Sequence, residues 1–554
     1  MNMNTRLSPV LSALMAVMLL AGPVLAQHPV FTRQDTLRGS ITPERAWWDL
    51  TYYHLDITVD PADKTISGQN TVFYRVLKPY QLLQVDLQPP LSITRIEQDG
   101  KALKYRRDGN AWFVTLEKTQ KPQEINSLVI SYEGVPHVSE RPPWSGGITW
   151  DKDSNDLDFI ASTCQGDGAS LWWPCKDHPC DEPDSMLMSI NVPDHLTDVS
   201  NGRLRGIDVL DNGTRTFHWF VSNPINHYGV NINIGDYVHF GEVYQGEKGP
   251  LDCDYWVLRE NLEKAKKHFR EVPRMLEAFE HWFGPYPFYE DSYKLVDAPY
   301  PGMEHQSCVT YGNGYKNGFY GRDGSRSGWG MKFDFIIVHE SGHEWFANSI
   351  SNNDAAEMWV HESFIAYSEN LFLDYHYGTQ ASAEYVLGTR ANISNDRPIT
   401  GIRGLNYSGS GDMYCKGANM LHTLRQIIGN DEQWRAILRG LNEEFYHQTV
   451  SGDQIEAYII EKSGLDLHAF FNQYVRDYRL PVLEYAFEGD SLRFRWTQCV
   501  REFDMPAPVT IGGVSYTLKP TRRWQHIDLT VPGNSLVLDK DYYAATFNIT
   551  GSKQ

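Results

Sequence analysis

Cysteine is scarce in this chain of 554 residues, with seven in all and none in a C-x-x-C pair. A thiolate zinc site is built from such pairs, so none is indicated. Positive charge is also short: 50 Lys and Arg stand against 70 Asp and Glu, a formal net charge of −20. Phosphates would be repelled by such a surface, which argues against a nucleic-acid partner. Beyond the first residues no apolar run approaches the ~20 residues that span a bilayer, so no membrane partner is expected. Internal repeats and low-complexity tracts are missing too. What remains is the composition of a globular protein, 41% hydrophobic and 22% charged. At roughly 100–200 residues per domain the length suggests three domains. Oligomeric state is not legible in the sequence.

The N-terminus sets the compartment. One positive charge at Arg6 precedes a mostly apolar stretch over 7–20, Gly22-Pro23 breaks it, and Val24-Leu25-Ala26 offers small or apolar residues for cleavage before Gln27. This reads as a bacterial-style signal peptide over 1–26, and predicts export to the periplasm or the medium. An oxidising compartment permits disulfides. Cys164, Cys175 and Cys180 are close enough in sequence for one bridge, and the odd count leaves at least one thiol unpaired within the chain.

From about Trp47 to Val243 short alternating runs separated by Gly, Pro and Asp turns predict an antiparallel β domain, bounded at 27–248. Near Leu258 the period becomes helical. Apolar residues at helical spacing run through 258–283, then through 333–350, 362–375, 416–428 and 431–445, with one β-like stretch at 293–296 and a Gly-, Ser- and Asn-rich loop over 312–330. Residues 481–554 return to strands. The expected architecture is therefore α+β and multidomain: the β domain, a mainly helical domain over 249–480, and a small sandwich-like β domain at the C-terminus.

Inside the 333–350 helical pattern lies His339-Glu340-Ser341-Gly342-His343. Residues four apart share one face of a helix, so two imidazoles can reach one ion. Glu340, beside His339, leans toward the same cleft as a base for the attacking water. A catalytic zinc takes three protein ligands and keeps one position open. Glu362, with eighteen residues between it and His343, opens the next helix, and Ser351-Asn352-Asn353-Asp354 is turn material that lets the two helices fold back on each other.

This H-E-x-x-H, followed after eighteen residues by a glutamate within W-x-x-E-S-F-x-x-Y-x-E, resembles peptidase family M1, the gluzincin aminopeptidases. Pro301-Gly302-Met303-Glu304-His305 resembles the family's G-x-M-E-N motif, Tyr414-Cys415-Lys416-Gly417-Ala418 its Y-x-K-G-A segment, and Trp172-Trp173-Pro174-Cys175-Lys176-Asp177-His178-Pro179 its W-x-P-C-x-D-x-P signature. The resemblance covers nearly all of the mature chain. It implies a thermolysin-like catalytic domain, one Zn2+ per chain on His339, His343 and Glu362, and peptides with a free N-terminus as substrates. It also implies roles that spacing does not show. Glu304 binds the substrate's α-amino group with Gln165 assisting, Tyr414 donates to the oxyanion, Gly302 and Met303 line the substrate strand, and Lys416 is structural.

Two departures stand beside Glu304. Pro301 replaces the motif's first glycine and removes an N–H; His305 replaces its asparagine and adds a titratable group. The chain also lacks the large helical C-terminal domain of many relatives, so a more open cleft is expected. Two alternatives stay open: an epoxide hydrolase that is also an aminopeptidase, like leukotriene hydrolase, and a catalytically silent peptide-binding relative.

Overall fold

Residues 30–550 are described by a computed structural model, and those from Gln34 onward form one compact unit. The expected signal peptide lies outside the described residues. Among the described residues no helix is long and apolar enough to cross a membrane.

The first half is β-rich, as its alternation predicts. Strand Trp48–Asp60 buries Tyr53, Leu55, Ile57 and Val59 on one face. It sits inside an eight-stranded sheet, antiparallel to Thr65–Val76 but parallel to Ser185–Pro193. That parallel pair departs from the expected antiparallel pattern. More than a hundred residues separate the two strands, enough chain for the long connection a parallel pair needs.

A five-stranded sheet leads to the site. Its order is Tyr237–Gly246, Gly249–Leu258, Tyr293–Asp297, Val309–Tyr311, Gly302–Met303. The last strand is an edge, antiparallel to Val309–Tyr311. Gly302 is required there. A Cβ would come within 2.5 Å of Ile336 Cγ2 and 3.1 Å of Glu340 Cγ, so glycine lets the edge lie against the helix that carries Glu340.

Four helices frame the site: α1 (Phe335–Gly342), α2 (Trp359–Tyr377), α3 (Thr379–Thr389) and α4 (Cys415–Ile428). Their apolar faces share one core with the β strands that follow residue 481, through Leu492, Phe494 and Trp496. Those strands form a four-stranded and a three-stranded sheet.

Several expectations are corrected. The helix expected over 258–283 is two, Leu262–His268 and Glu271–Phe283. Pro273 explains the break, because its ring clashes with the carbonyl four residues back, at Phe269. The helix expected over 333–350 spans only Phe335–Gly342. Asp334 caps its start, one carboxylate oxygen accepting from the backbone N–H of Ile336 (2.9 Å) and Ile337 (3.2 Å). Beyond Gly342 the amides turn to carbonyls three residues back, from Glu344 and Trp345, and then five back, from Asn348, Ser349 and Ile350. The chain keeps winding, but not as an α-helix. All seven cysteines are free thiols. Cys164 and Cys175 are spent on core packing instead, and the Cys164 thiol donates to the Tyr228 carbonyl (3.4 Å).

Candidate zinc centre and substrate cleft

His339 lies in the last turn of α1, and His343 stands one residue beyond its end. The helix still sets their spacing, with ring centroids 5.2 Å apart. Each imidazole is oriented through Nδ1. His339 Nδ1 meets Glu369 Oε1 at 2.8 Å, and His343 Nδ1 meets the Phe346 carbonyl at 3.0 Å. The Tyr385 hydroxyl donates to the other oxygen of Glu369. Both Nε2 atoms are thereby turned toward Glu362. Its Oε2 lies 3.9 Å from His339 Nε2 and 3.6 Å from His343 Nε2.

These atoms fit zinc. Tetrahedral bonds of 2.0–2.2 Å place neighbouring ligands about 3.3 Å apart, close to the separations present. Glu362 is 2% exposed, and its Oε2 is buried with no hydrogen-bond partner. An orphaned carboxylate oxygen is costly unless a cation takes it. Orientation of a ligand histidine by a carboxylate is also the usual support of a zinc site.

Charge says the same. Glu304, Glu340, Glu362 and Glu369 crowd two imidazoles, and neither Lys nor Arg lines the cleft. Burial pushes the Glu340 carboxyl up to about 8; His339 opposes this, and Glu304 and Glu362 add to it. Burial likewise raises Glu304 and Glu362. His343 is pushed down to about 4, chiefly by burial, leaving a neutral ring with a free lone pair. Burial lowers His339 as well, but the surrounding carboxylates outweigh it and lift this ring to about 9.

Glu304 follows the edge strand and is 2% exposed. Its carbonyl accepts from Asn348 Nδ2 at 2.9 Å, which ties the motif to the turn after His343. Gln165 arrives from the β-rich half. Its Nε2 donates to Glu304 Oε1 (2.6 Å) and to Glu362 Oε1 (2.9 Å). One amide thus braces the Glu304 carboxylate against that of Glu362. Tyr414 precedes α4. Its ring lies over His339, centroids 6.1 Å apart, and its hydroxyl faces Glu362. It is fixed because α4 leans on α2: a Cβ on Gly417 would come within 2.0 Å of Ser363 Oγ, and Ser363 Oγ donates to the Met413 carbonyl (2.8 Å). Met303 is buried and lines the cleft, as does Gly302.

All nine expected site residues therefore meet in one cleft. His305 behaves differently from expectation. It is fully buried, and burial pushes its ring down to about 3, so it stays neutral and adds no charge beside Glu304. The Lys416 ammonium donates to the Asp477 carbonyl (2.8 Å), a structural tie. Sequence reasoning gave no role to Glu369, although it closes the W-x-x-E-S-F-x-x-Y-x-E run two turns after Glu362 on the same helical face. It missed Tyr385, Asn348, Phe335 and Trp144, for which only the fold gives a signal.

Residues 268–474 match the family model described as the peptidase family M1 domain. Mouse aminopeptidase B is 24% identical over 493 residues, covering 80% of this chain and 71% of its own. Leukotriene A-4 hydrolase from Xenopus laevis is 22% identical over 443 residues, covering 76% and 68%. Among solved structures, an M1 zinc metallopeptidase from Deinococcus radiodurans superposes with a TM-score of 0.66 at 21% identity, covering 79% of this chain and 95% of its own. The two-histidine, one-glutamate cluster braced in this way lies within the matched segment: residues 268–474 carry a peptidase family M1 domain.

Proposed function

We propose that the protein is a zinc aminopeptidase that removes the N-terminal residue of peptides, with one zinc ion per chain on His339, His343 and Glu362. The observation that carries this reading is the Gln165 bridge. It holds Glu304, in a cleft that no Lys or Arg lines, beside the metal-ligand cluster. A substrate ammonium fits between such carboxylates, and binding it there fixes the first peptide bond near the metal ligands.

When bound, zinc supplies a Lewis acid that polarises the scissile carbonyl and acidifies water. The protein does the rest. Glu304 binds the ammonium and sets the register. Glu340 takes a proton from the attacking water and returns it to the leaving amine. The Tyr414 hydroxyl donates to the oxygen that gains charge, a contact of a kind worth about 2.7–4 kcal/mol. Pro301 has no N–H to offer the substrate, so the main-chain grip rests on Gly302 and Met303. The signal-peptide pattern in residues 1–26 supports export to the periplasm or beyond.

An aminoacyl-coumarin panel with and without chelator, with matched N-acetylated substrates, tests the reading. The expected result is chelator-sensitive cleavage of free amines only. Equal cleavage of acetylated substrates would overturn the exopeptidase assignment.

A further inference from the structure

One wall of the cleft is used by neither the metal ligands nor the amine site. Trp144 lines it and is 67% exposed. A bare indole at the mouth of a cleft is large apolar area waiting for a contact.

Its loop is built to hold it still. The Ser145 N–H donates to the Arg141 carbonyl (3.0 Å), the Arg141 N–H donates to Ser145 Oγ (2.7 Å), and His137 Nδ1 lies 3.0 Å from the Gly146 carbonyl. At the base the Gly146 N–H donates to Asp167 Oδ2 (2.7 Å), two residues beyond Gln165. A Cβ on Gly146 would meet Leu171 Cδ1 at 2.4 Å, so the base is seated against the β-rich half.

The loop also has a definite side. The Thr163 hydroxyl stands between the Pro143 carbonyl (3.5 Å) and Met303 Sδ (3.6 Å). Trp144 therefore shares the flank of Met303, Gln165 and Glu304, where the first residue of a substrate sits. The other apolar flank belongs to Phe335, which stacks on His339 with centroids 5.0 Å apart, and to Phe319, edge-on to Phe335 at 5.7 Å.

We propose that Trp144 is a specificity-determining residue, a flat wall for the first side chain of the substrate, and that the enzyme favours large apolar or aromatic N-terminal residues. This rests on the aminopeptidase reading above. An acidic first side chain would meet no Lys or Arg in the cleft.

The test compares kcat/KM for Phe-Ala-Ala, Ala-Phe-Ala and Ala-Ala-Ala in the wild type and in Trp144→Ala, with Trp144→Tyr as the conservative variant. Trp144→Ala should lose about fivefold on Phe-Ala-Ala alone, the scale of one aromatic contact, and Trp144→Tyr should regain most of it. An equal loss on all three peptides, a loss on Ala-Phe-Ala instead, or no loss would overturn the proposal. Calorimetric titration of L-phenylalanine and L-alanine into the zinc-loaded proteins reads the same wall without turnover. If no peptide were cleaved, the aminopeptidase reading would fall. The wall would still be decided by whether phenylalanine binds more weakly to Trp144→Ala or binds both proteins equally.

Discussion

The two sides of the cleft are assembled over very different distances along the chain. On the helical side His339 and His343 are four residues apart, and Glu362 and Glu369 are seven apart on one helix. On the β side Gln165 reaches across 139 positions to Glu304 and 197 to Glu362. Local spacing on a helix places side chains by geometry alone. Contacts over such separations need both parts of the fold to be in place. The difference teaches where function divides: the helical side should govern metal and chemistry, the β side the grip on substrate.

The largest expected effect falls on the helical side. Glu340→Gln keeps the shape of the side chain and removes the proton acceptor, so kcat should fall by about 10³-fold or more, within reach of general-base losses compounded by the leaving-group step. Zinc content by elemental analysis should be unchanged. Turnover within tenfold of wild type would remove Glu340 as the base. Tyr414→Phe comes next, with a loss of about 10²–10³ in kcat, the cost of one oxyanion donor. KM should move little. If KM rose instead while kcat held, Tyr414 would belong with the substrate grip, and the division between the two sides would blur.

Glu369→Gln probes the support behind the metal. Its carboxylate fixes His339 from the far side, and loss of such a partner typically costs about 10–100-fold in metal affinity. Chelator titration should show this shift, and saturating zinc should restore most of the activity. Activity lost at saturating zinc would mean that Glu369 does more than orient the ligand.

The same contrast explains what was legible beforehand. That His339, Glu340, His343 and Glu362 come together was readable because one helical turn and one tight reversal fix them. The early end of that helix was not. It depends on the turn after Gly342 being held from outside, where the Glu344 carboxylate accepts from the Ser307 N–H (2.8 Å) and Asn348 reaches Glu304. A helical pattern of apolar residues carries no sign of such contacts. The break before Glu271 was legible in principle, since Pro273 announces it. The free thiols were not, because spacing in sequence says nothing about whether sulfurs face each other. His305 looked titratable beside Glu304, and only burial shows it to be neutral. Gln165 and Glu304 were found through family resemblance rather than spacing. The amide that joins them belongs to tertiary structure.

That amide gives the smallest and most discriminating prediction. Gln165 donates to both Glu304 and Glu362, so Gln165→Ala leaves two buried carboxylates each short of a donor. Hydrogen bonds to charged groups are worth about 1.5–3 kcal/mol, which would allow a loss of tenfold or more. Two things soften it. On the proposed reading the substrate ammonium satisfies Glu304 once bound, and zinc satisfies Glu362. The cost that remains in the complex is poorer alignment of the amine, so KM for a tripeptide should rise by about tenfold, near the lower end of that range, with kcat and zinc content nearly unchanged. Gln165→Glu is the sharper variant. It restores the length but replaces the donor with a further acceptor among four carboxylates, and should bind substrate more weakly than Gln165→Ala unless the added charge attracts the ammonium. If it instead lowers KM below that of Gln165→Ala, the cleft selects its substrate's amine by total negative charge, and the β side is an electrostatic funnel rather than a fitted grip.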